Sequence, residues 1–197
     1  MRRLTLTWTV LGCASALFGF WQFWTLRGNY ESYVVARPSG FMSHWMTFGG
    51  EGMIVLAMLA ALLLLAPGAG SREKLAGFAM AALIGFALVL NGSRNTWFGA
   101  AVALAYLLWQ WRRWAVLLLP VAAAAALLLA PAVVRQRASS IARPHDRLDS
   151  NEHRRATFLT GIEMIKAHPL FGVGPERVGR VFDAYVPRGV TPPRGQF

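Results

Sequence analysis

The sequence predicts an all-α, polytopic transmembrane protein of about five spans, followed by an external region of shorter amphipathic helices. Three observations lead there. Only 15% of the 197 residues are charged, against about 25% in a typical soluble domain. Hydrophobic residues make up 55% of the chain and fall in long blocks rather than in short amphipathic periods. Tryptophans such as Trp21, Trp24, Trp45, Trp97, Trp111 and Trp114 stand near the ends of those blocks, as in an interfacial aromatic belt.

The elements follow in order. A membrane helix needs about 20 apolar residues, at about 1.5 Å each across a core of about 30 Å. The first span runs near 5–26. The run is too long for the apolar core of a signal peptide, so it reads as a retained helix. Cys13 lies inside it as a packing residue and forms no intrachain disulfide. A polar loop follows, from Arg27 to about Ser43, and the second span covers 45–66 with Glu51 in its first turns. Such a carboxyl lies near the interface or faces a polar cavity. Pro67-Gly68-Ala69-Gly70 and the charged turn Arg72, Glu73, Lys74 separate it from a third span at 75–91. Gly92-Ser93-Arg94-Asn95 makes a tight turn into a fourth span at 97–111, and Arg112-Arg113 closes that one. The fifth covers 114–134, with Pro120 as the expected kink. Residues 1–134 thus form the membrane region and 135–197 an external loop region.

Alternation of five spans puts Arg2-Arg3, Arg72/Lys74 and Arg112-Arg113 on one side, which the positive-inside rule makes cytoplasmic. The N-terminus is then inside. The loop after the first span, the Ser93-Arg94 turn and residues 135–197 face a periplasm-like space. In that tail Asp149 and Glu152 have the spacing of a capping box. From Glu152 to Ala167, Phe158, Leu159, Ile162 and Ile165 share a helical face able to rest on a lipid surface. A second short helix is expected from Glu176 to Tyr185, before a turn-rich end at Pro187, Gly189, Pro192, Pro193 and Gly195.

The formal net charge is +11. Nucleic acid fits this charge poorly, because most of the chain reads as lipid-embedded. Anionic lipid or a lipid-linked phosphate fits it better. No phosphate-binding glycine loop, Cys-x-x-C pair, His-Glu-x-x-His or Gly-x-Ser-x-Gly elbow is present. Neither a metal site nor a cofactor is expected.

The candidates for chemistry are arginines and histidines. Arg94 stands at the tip of the turn between two spans, where a guanidinium offers planar donors to phosphate oxygens. The plainer reading is an interfacial arginine that reaches for headgroups. Arg154 and Arg155 begin the external helix, where the helix dipole favours acidic residues. A bound anion accounts for them, and so does a solvated face. His44, ahead of the second span, is an interfacial polar residue or a catalytic one. His168, before Pro169, has the placement of a residue that meets the last carbonyls of its helix.

Three stretches together resemble one family. The first is Arg37-Pro-Ser-Gly-Phe-Met-Ser-His44, leading into a span through Thr47-Phe48. The second is Ser93-Arg94, with Asn95 where the family pattern has glycine. The third is Arg155 followed by Gly161-Ile-Glu-Met-Ile-Lys-Ala-His-Pro-Leu-Phe-Gly-Val-Gly-Pro175. In that order they are similar to the O-antigen ligases, a family that also includes the O-antigen polymerases. The resemblance implies metal-independent glycosyl transfer outside the cytoplasmic membrane. The donor is a glycan on a polyprenyl diphosphate. The acceptor is a sugar hydroxyl of lipid A-core for a ligase, or of another lipid-linked glycan for a polymerase. It assigns Arg94 and Arg155, or its neighbour Arg154, to the leaving diphosphate, and Arg37, His44 and His168 to substrate binding. Typical members have more spans than the five read here. They also carry a His-Asn motif further along the external loop, which this sequence does not reach. The chain is therefore expected to be the central portion of such a protein, and its activity alone is left open. The competing reading is a non-catalytic membrane component whose basic tail lies on the lipid surface.

Overall fold

A computed structural model describes residues 2–26, 33, 36–66, 70–139, 150–174 and 177–190. Every regular element among them is helical. They divide into two units, Met1–Ile141 and Ala142–Phe197.

In the first unit, α1 (Arg2–Leu26), α2 (Trp45–Leu65) and α3 (Ser71–Asn91) are long and apolar enough to cross a membrane. α2 has 21 residues, a length of about 31 Å at about 1.5 Å per residue. α3 begins at Ser71 rather than Leu75, because the charged turn is absorbed into its first turn. Gly70 is the N-cap, and the Glu73 carboxylate accepts from the Gly70 N–H at 3.4 Å. α4 (Arg94–Trp111) follows after two residues, with 18 residues.

The expected fifth span takes a different form. A 3-10 turn at Arg113–Leu117 leads into α5 (Leu118–Leu129), and together they make a shorter apolar helix. Pro120 stands in the first turn of α5, where its missing N–H is no loss. The break comes at Pro131. The residue before it, Ala130, is extended at φ −68°, ψ 145°, as proline demands of its predecessor. A separate α6 (Ala132–Ser139) follows.

α2 is the hub of this unit and packs on α1, α3 and α4. The approach is close because small residues face large ones. A Cβ on Gly52 would lie 2.8 Å from Leu88 Cδ2, and one on Gly12 would lie 3.1 Å from Val55 Cγ1. Membrane helices pack through such small residues, since lipid tails leave no hydrophobic drive between them. Polarity is inverted relative to a soluble bundle. Thr5, Thr9, Ser15, Asn91 and Thr96 are buried, while Leu4, Val10, Trp21, Phe98, Val102, Leu128 and Leu129 are exposed. An outer surface of this kind suits lipid, and the chain is a multi-pass helical membrane protein.

The second unit is built on α7 (Ser150–Ala167), a helix α8 of one turn (Val178–Val181) and a 3-10 turn at Phe182–Tyr185. The last two replace the single helix expected up to Tyr185. α7 packs against the 3-10 turn, whose Phe182 is buried. The face it buries carries Ala156, Thr160 and Met164, while Phe158 and Ile165 of the expected apolar stripe point outward. The Asp149–Glu152 pairing, Pro67–Ala69, Pro175, Glu176 and the prolines after Val190 lie outside the residues or side chains described.

Candidate functional site

At the end of the first unit where α1 gives way to α2 and α3 to α4, polar groups are gathered and tied together. The loop 36–44 is held against the helices rather than left in solvent. Pro38 is fully buried, and Arg37 is 7% exposed. Gln22 of α1 acts as the clamp. Its Oε1 accepts from the N–H groups of Ser39 at 2.9 Å and Gly40 at 2.8 Å, and its Nε2 donates to the Gly40 carbonyl at 3.2 Å. Ser15, also on α1, accepts from the Phe41 N–H at 3.2 Å. Gly40 is left-handed at φ +58°, and a Cβ there would lie 2.5 Å from Phe48 Cδ2. Only glycine suits that position.

Asn91, the last residue of α3, holds the loop from the other side. It has no exposed surface, and its Nδ2 donates to the carbonyls of Pro38 at 3.0 Å and Trp45 at 2.9 Å. The carbonyls that end a helix have no partner within it, and around α3 other residues supply them. Trp97 Nε1 donates to the Leu88 carbonyl at 2.8 Å, and the Gly92 N–H to that of Val89 at 3.3 Å. The Tyr33 hydroxyl donates to the Leu90 carbonyl at 2.8 Å. Gly92 adopts φ +68° beneath Tyr33, whose Cζ would be 3.0 Å from a Cβ on that residue.

Three arginines belong to the elements gathered here. The guanidinium of Arg37 lies over the Trp45 ring, 3.8 Å from its centroid. A guanidinium over an indole face at this distance is held by cation–π attraction. Arg94 opens α4 and is half-buried. Its N-cap Ser93, itself buried, makes no side-chain capping bond. Helix N-termini present N–H groups and a partial positive charge, so anions favour them. Arg137 is 2% exposed on α6, and Val134 one turn earlier packs in a cluster with Tyr33 and Leu90.

His44 has a local duty. Its Nδ1 accepts from the Met46 N–H at 3.1 Å as N-cap of α2, and its ring lies 4.9 Å from that of Trp45. Arg37, His44 and Arg94 therefore share one end of the first unit. The other candidates belong to the second unit. Arg154 and Arg155 are exposed in the early turns of α7. His168 does not stop at meeting its helix carbonyls, since its Nε2 is 2.9 Å from the Tyr185 hydroxyl. Among the described residues no group of three or more His, Cys, Asp or Glu could hold a metal ion.

Sequence reasoning passed over Gln22 and left Asn91 as a neighbour of Arg94. Both are amides in or at the end of otherwise apolar runs, where a polar side chain needs a partner or a task. Arg137 falls in the stretch 135–197 expected outside the membrane region, but the break at Pro131 starts a separate α6 whose Val134 packs with Tyr33 and Leu90. Glu51 lines a cavity of about 10 Å³ with Gly12, Ser15, Gly52 and Ile84, room for a single water molecule at most.

A family model described as O-antigen ligase matches residues 78–196. The chain belongs to the O-antigen ligase family. The match takes in the Asn91–Arg94 turn, α7 and the His168–Pro175 stretch, while loop 36–44 precedes it. No curated protein and no solved structure matches the chain. As the family implies in general terms, the partners are a lipid-linked glycan and lipid A-core.

Proposed function

We propose that this chain works in the transfer of a glycan from a polyprenyl diphosphate carrier to a hydroxyl of lipid A-core, with Arg94 as the main ligand of the diphosphate. The observation that carries this reading is the placement of Arg94. It is a half-buried guanidinium on the first residue of α4, behind an N-cap that makes no side-chain bond, within the stretch matched to the family. A guanidinium on the first residue of a helix adds its charge to the positive end of the helix dipole, which favours an anion there.

The chemistry follows from charge. The acceptor hydroxyl oxygen bonds to the anomeric carbon and gives up its proton, to the departing diphosphate or to water, as the bond from that carbon to the diphosphate oxygen breaks. Negative charge then grows on the leaving diphosphate. A guanidinium already in place stabilises that charge without reorganisation, an effect worth about 2.7–4 kcal/mol per donor in comparable sites. Arg37, locked on Trp45 in the adjoining loop, is assigned to guiding the donor. Arg155 or Arg154 is assigned to the same diphosphate from the second unit, with His44 and His168 as substrate contacts. A polymerase differs only in taking a second lipid-linked glycan as acceptor.

This reading includes a location in the bacterial inner membrane. Five crossings, with the Arg113–Leu129 helix as the fifth, place the N-terminus in the cytoplasm and residues 135–197 in the periplasm. The basic pairs at Arg2-Arg3, Arg72/Lys74 and Arg112-Arg113 support that orientation.

The test is binding of a polyprenyl diphosphate by the chain in nanodiscs, with the polyprenyl monophosphate as comparison. Arg94→Ala is expected to weaken diphosphate binding roughly 10- to 100-fold, the size of a lost charge-assisted bond. Arg94→Lys should recover part of it, since lysine keeps the charge but not the fork. Unchanged binding by a folded Arg94→Ala protein would sink the assignment.

A further inference from the structure

The second unit carries an apolar surface that its own packing does not explain. Phe158 is 69% exposed and Ile165 65%, and in the turn after α7 Leu170 reaches 86% and Phe171 94%. A soluble domain rarely concentrates such side chains without covering them. α7 already has a buried face at Ala156, Thr160 and Met164. At about 100° per residue, Phe158, Ile162 and Ile165 centre roughly 170° away from that face. The helix is thus apolar on two sides, and only one of them is used within the unit.

Charge frames the second face. On the same wheel the exposed Arg154 and Arg155 lie about 50° to either side of its centre, one turn before Phe158. Lys166, exposed and paired with Glu163 at 2.7 Å, stands near its other end. An apolar face bordered by arginines is the pattern of a helix lying in a lipid interface: rings and aliphatic chains enter the acyl boundary and guanidinium groups stay with the phosphates. Bulky side chains in the turn 168–173 extend the face past the helix end. The bilayer is never far, because the same chain spans it in its first unit.

We infer that α7 and the turn after it dock on anionic lipid, with Phe158, Ile162, Ile165, Leu170 and Phe171 inserted and Arg154 and Arg155 on the lipid phosphates. The docking does not depend on glycan transfer, although Arg154 and Arg155 are also the residues assigned to the diphosphate from this unit. It also gives Arg154 and Arg155 a task whether or not either reaches the diphosphate.

The experiment uses the full chain in phosphatidylethanolamine–phosphatidylglycerol nanodiscs. Cys13→Ala removes the native thiol, and single cysteines at Phe158, Ile165 or Phe171 carry a nitrobenzoxadiazole dye. Each dye is expected to be quenched by doxyl groups on lipid chains and shielded from aqueous iodide, while a dye at the exposed Asp183 is open to iodide. With Arg154→Glu and Arg155→Glu together, the dye at Phe171 should lose doxyl quenching and gain iodide quenching. Two results overturn the inference. Iodide quenching without doxyl quenching at the three sites places the face in water. Shielding from both quenchers means that protein, not lipid, covers it.

Discussion

The two ends of the membrane unit handle their polar residues in opposite ways. Where α1 meets α2 and α3 meets α4, Gln22, Asn91, Tyr33 and Trp97 are bonded to backbone groups of other elements, and Arg37 is buried on a ring. At the other end the contacts seen among the described residues are local. Glu73 caps its own helix, Arg72 and Lys74 are exposed, and Arg112 and Arg113 rest 5.6 Å and 5.5 Å from the centroids of Trp111 and Trp109. One end fixes side chains in place, as a site needs. The other offers mobile charge to water and headgroups, enough to orient a protein in a membrane.

The sharpest way to break the contrast is to remove the strut between α3 and the loop. Asn91→Leu strands the carbonyl of Pro38 in an apolar surround, while that of Trp45 keeps its bond within α2. Unsatisfied buried groups cost about 1–3 kcal/mol each. Interhelical bonds in membranes average only about 0.6 kcal/mol, because the unfolded chain finds other partners. With one acceptor stranded and a second bond lost, the expected destabilisation is about 2 kcal/mol, read from unfolding in mixed micelles. A loss below about 1 kcal/mol would mean that Gln22 and Ser15 hold the loop without Asn91. In that event Arg37 and Arg94 are not coupled through this residue.

A milder comparison sets one glycine at each end against the other. Gly92 has φ +68°, and a Cβ there runs into Tyr33, whereas Gly70 has φ −68° and nothing within 4 Å. Gly92→Ala combines a left-handed strain of about 1–2 kcal/mol with displacement of the Tyr33 hydroxyl from Leu90. Gly70→Ala changes only an N-cap, at about 0.5 kcal/mol. The same unfolding assay separates them. Equal losses would remove the distinction between a packed end and a solvated one.

How far the sequence disclosed this arrangement depends on which interactions are local. The helical membrane class, the start of α2 and the Gly92 turn follow from composition, run length and turn chemistry. Other features depend on tertiary contact. The outward turn of Phe158 and Ile165 goes with the burial of Ala156, Thr160 and Met164 on the other side of α7, a helix that packs on the 3-10 turn at Phe182–Tyr185. A strong apolar period at 158, 162 and 165 could not announce that the weaker face goes inside. The burial of Arg37 and Arg137 was equally closed to a linear reading. That of Arg37 comes with a loop clamped by residues 17 and 53 positions away, counting from Ser39 to Gln22 and from Pro38 to Asn91, and that of Arg137 comes with α6, whose Val134 packs with Tyr33 and Leu90. Pro131 was a local signal within reach, and giving it the weight spent on Pro120 would have located the break.

The smallest expected effect probes the exposed end itself. Arg112→Gln with Arg113→Gln removes two charges that touch only their neighbouring tryptophans. Exposed cation–π contacts contribute about 0.5–1 kcal/mol at best, and ring separations of 5.6 Å and 5.5 Å are near the limit of that interaction. Stability should therefore stay within about 0.5 kcal/mol of the parent, as for most surface substitutions. What should respond is orientation. If this turn is cytoplasmic, losing its charges weakens the bias that keeps it there, and a reporter fused after Trp114 should detect a fraction of inverted chains. Unchanged orientation would assign the bias to Arg2-Arg3 and Arg72/Lys74 alone. A stability loss beyond about 1 kcal/mol would instead show that this end, too, is held by specific contacts, and the contrast between the two ends would fail.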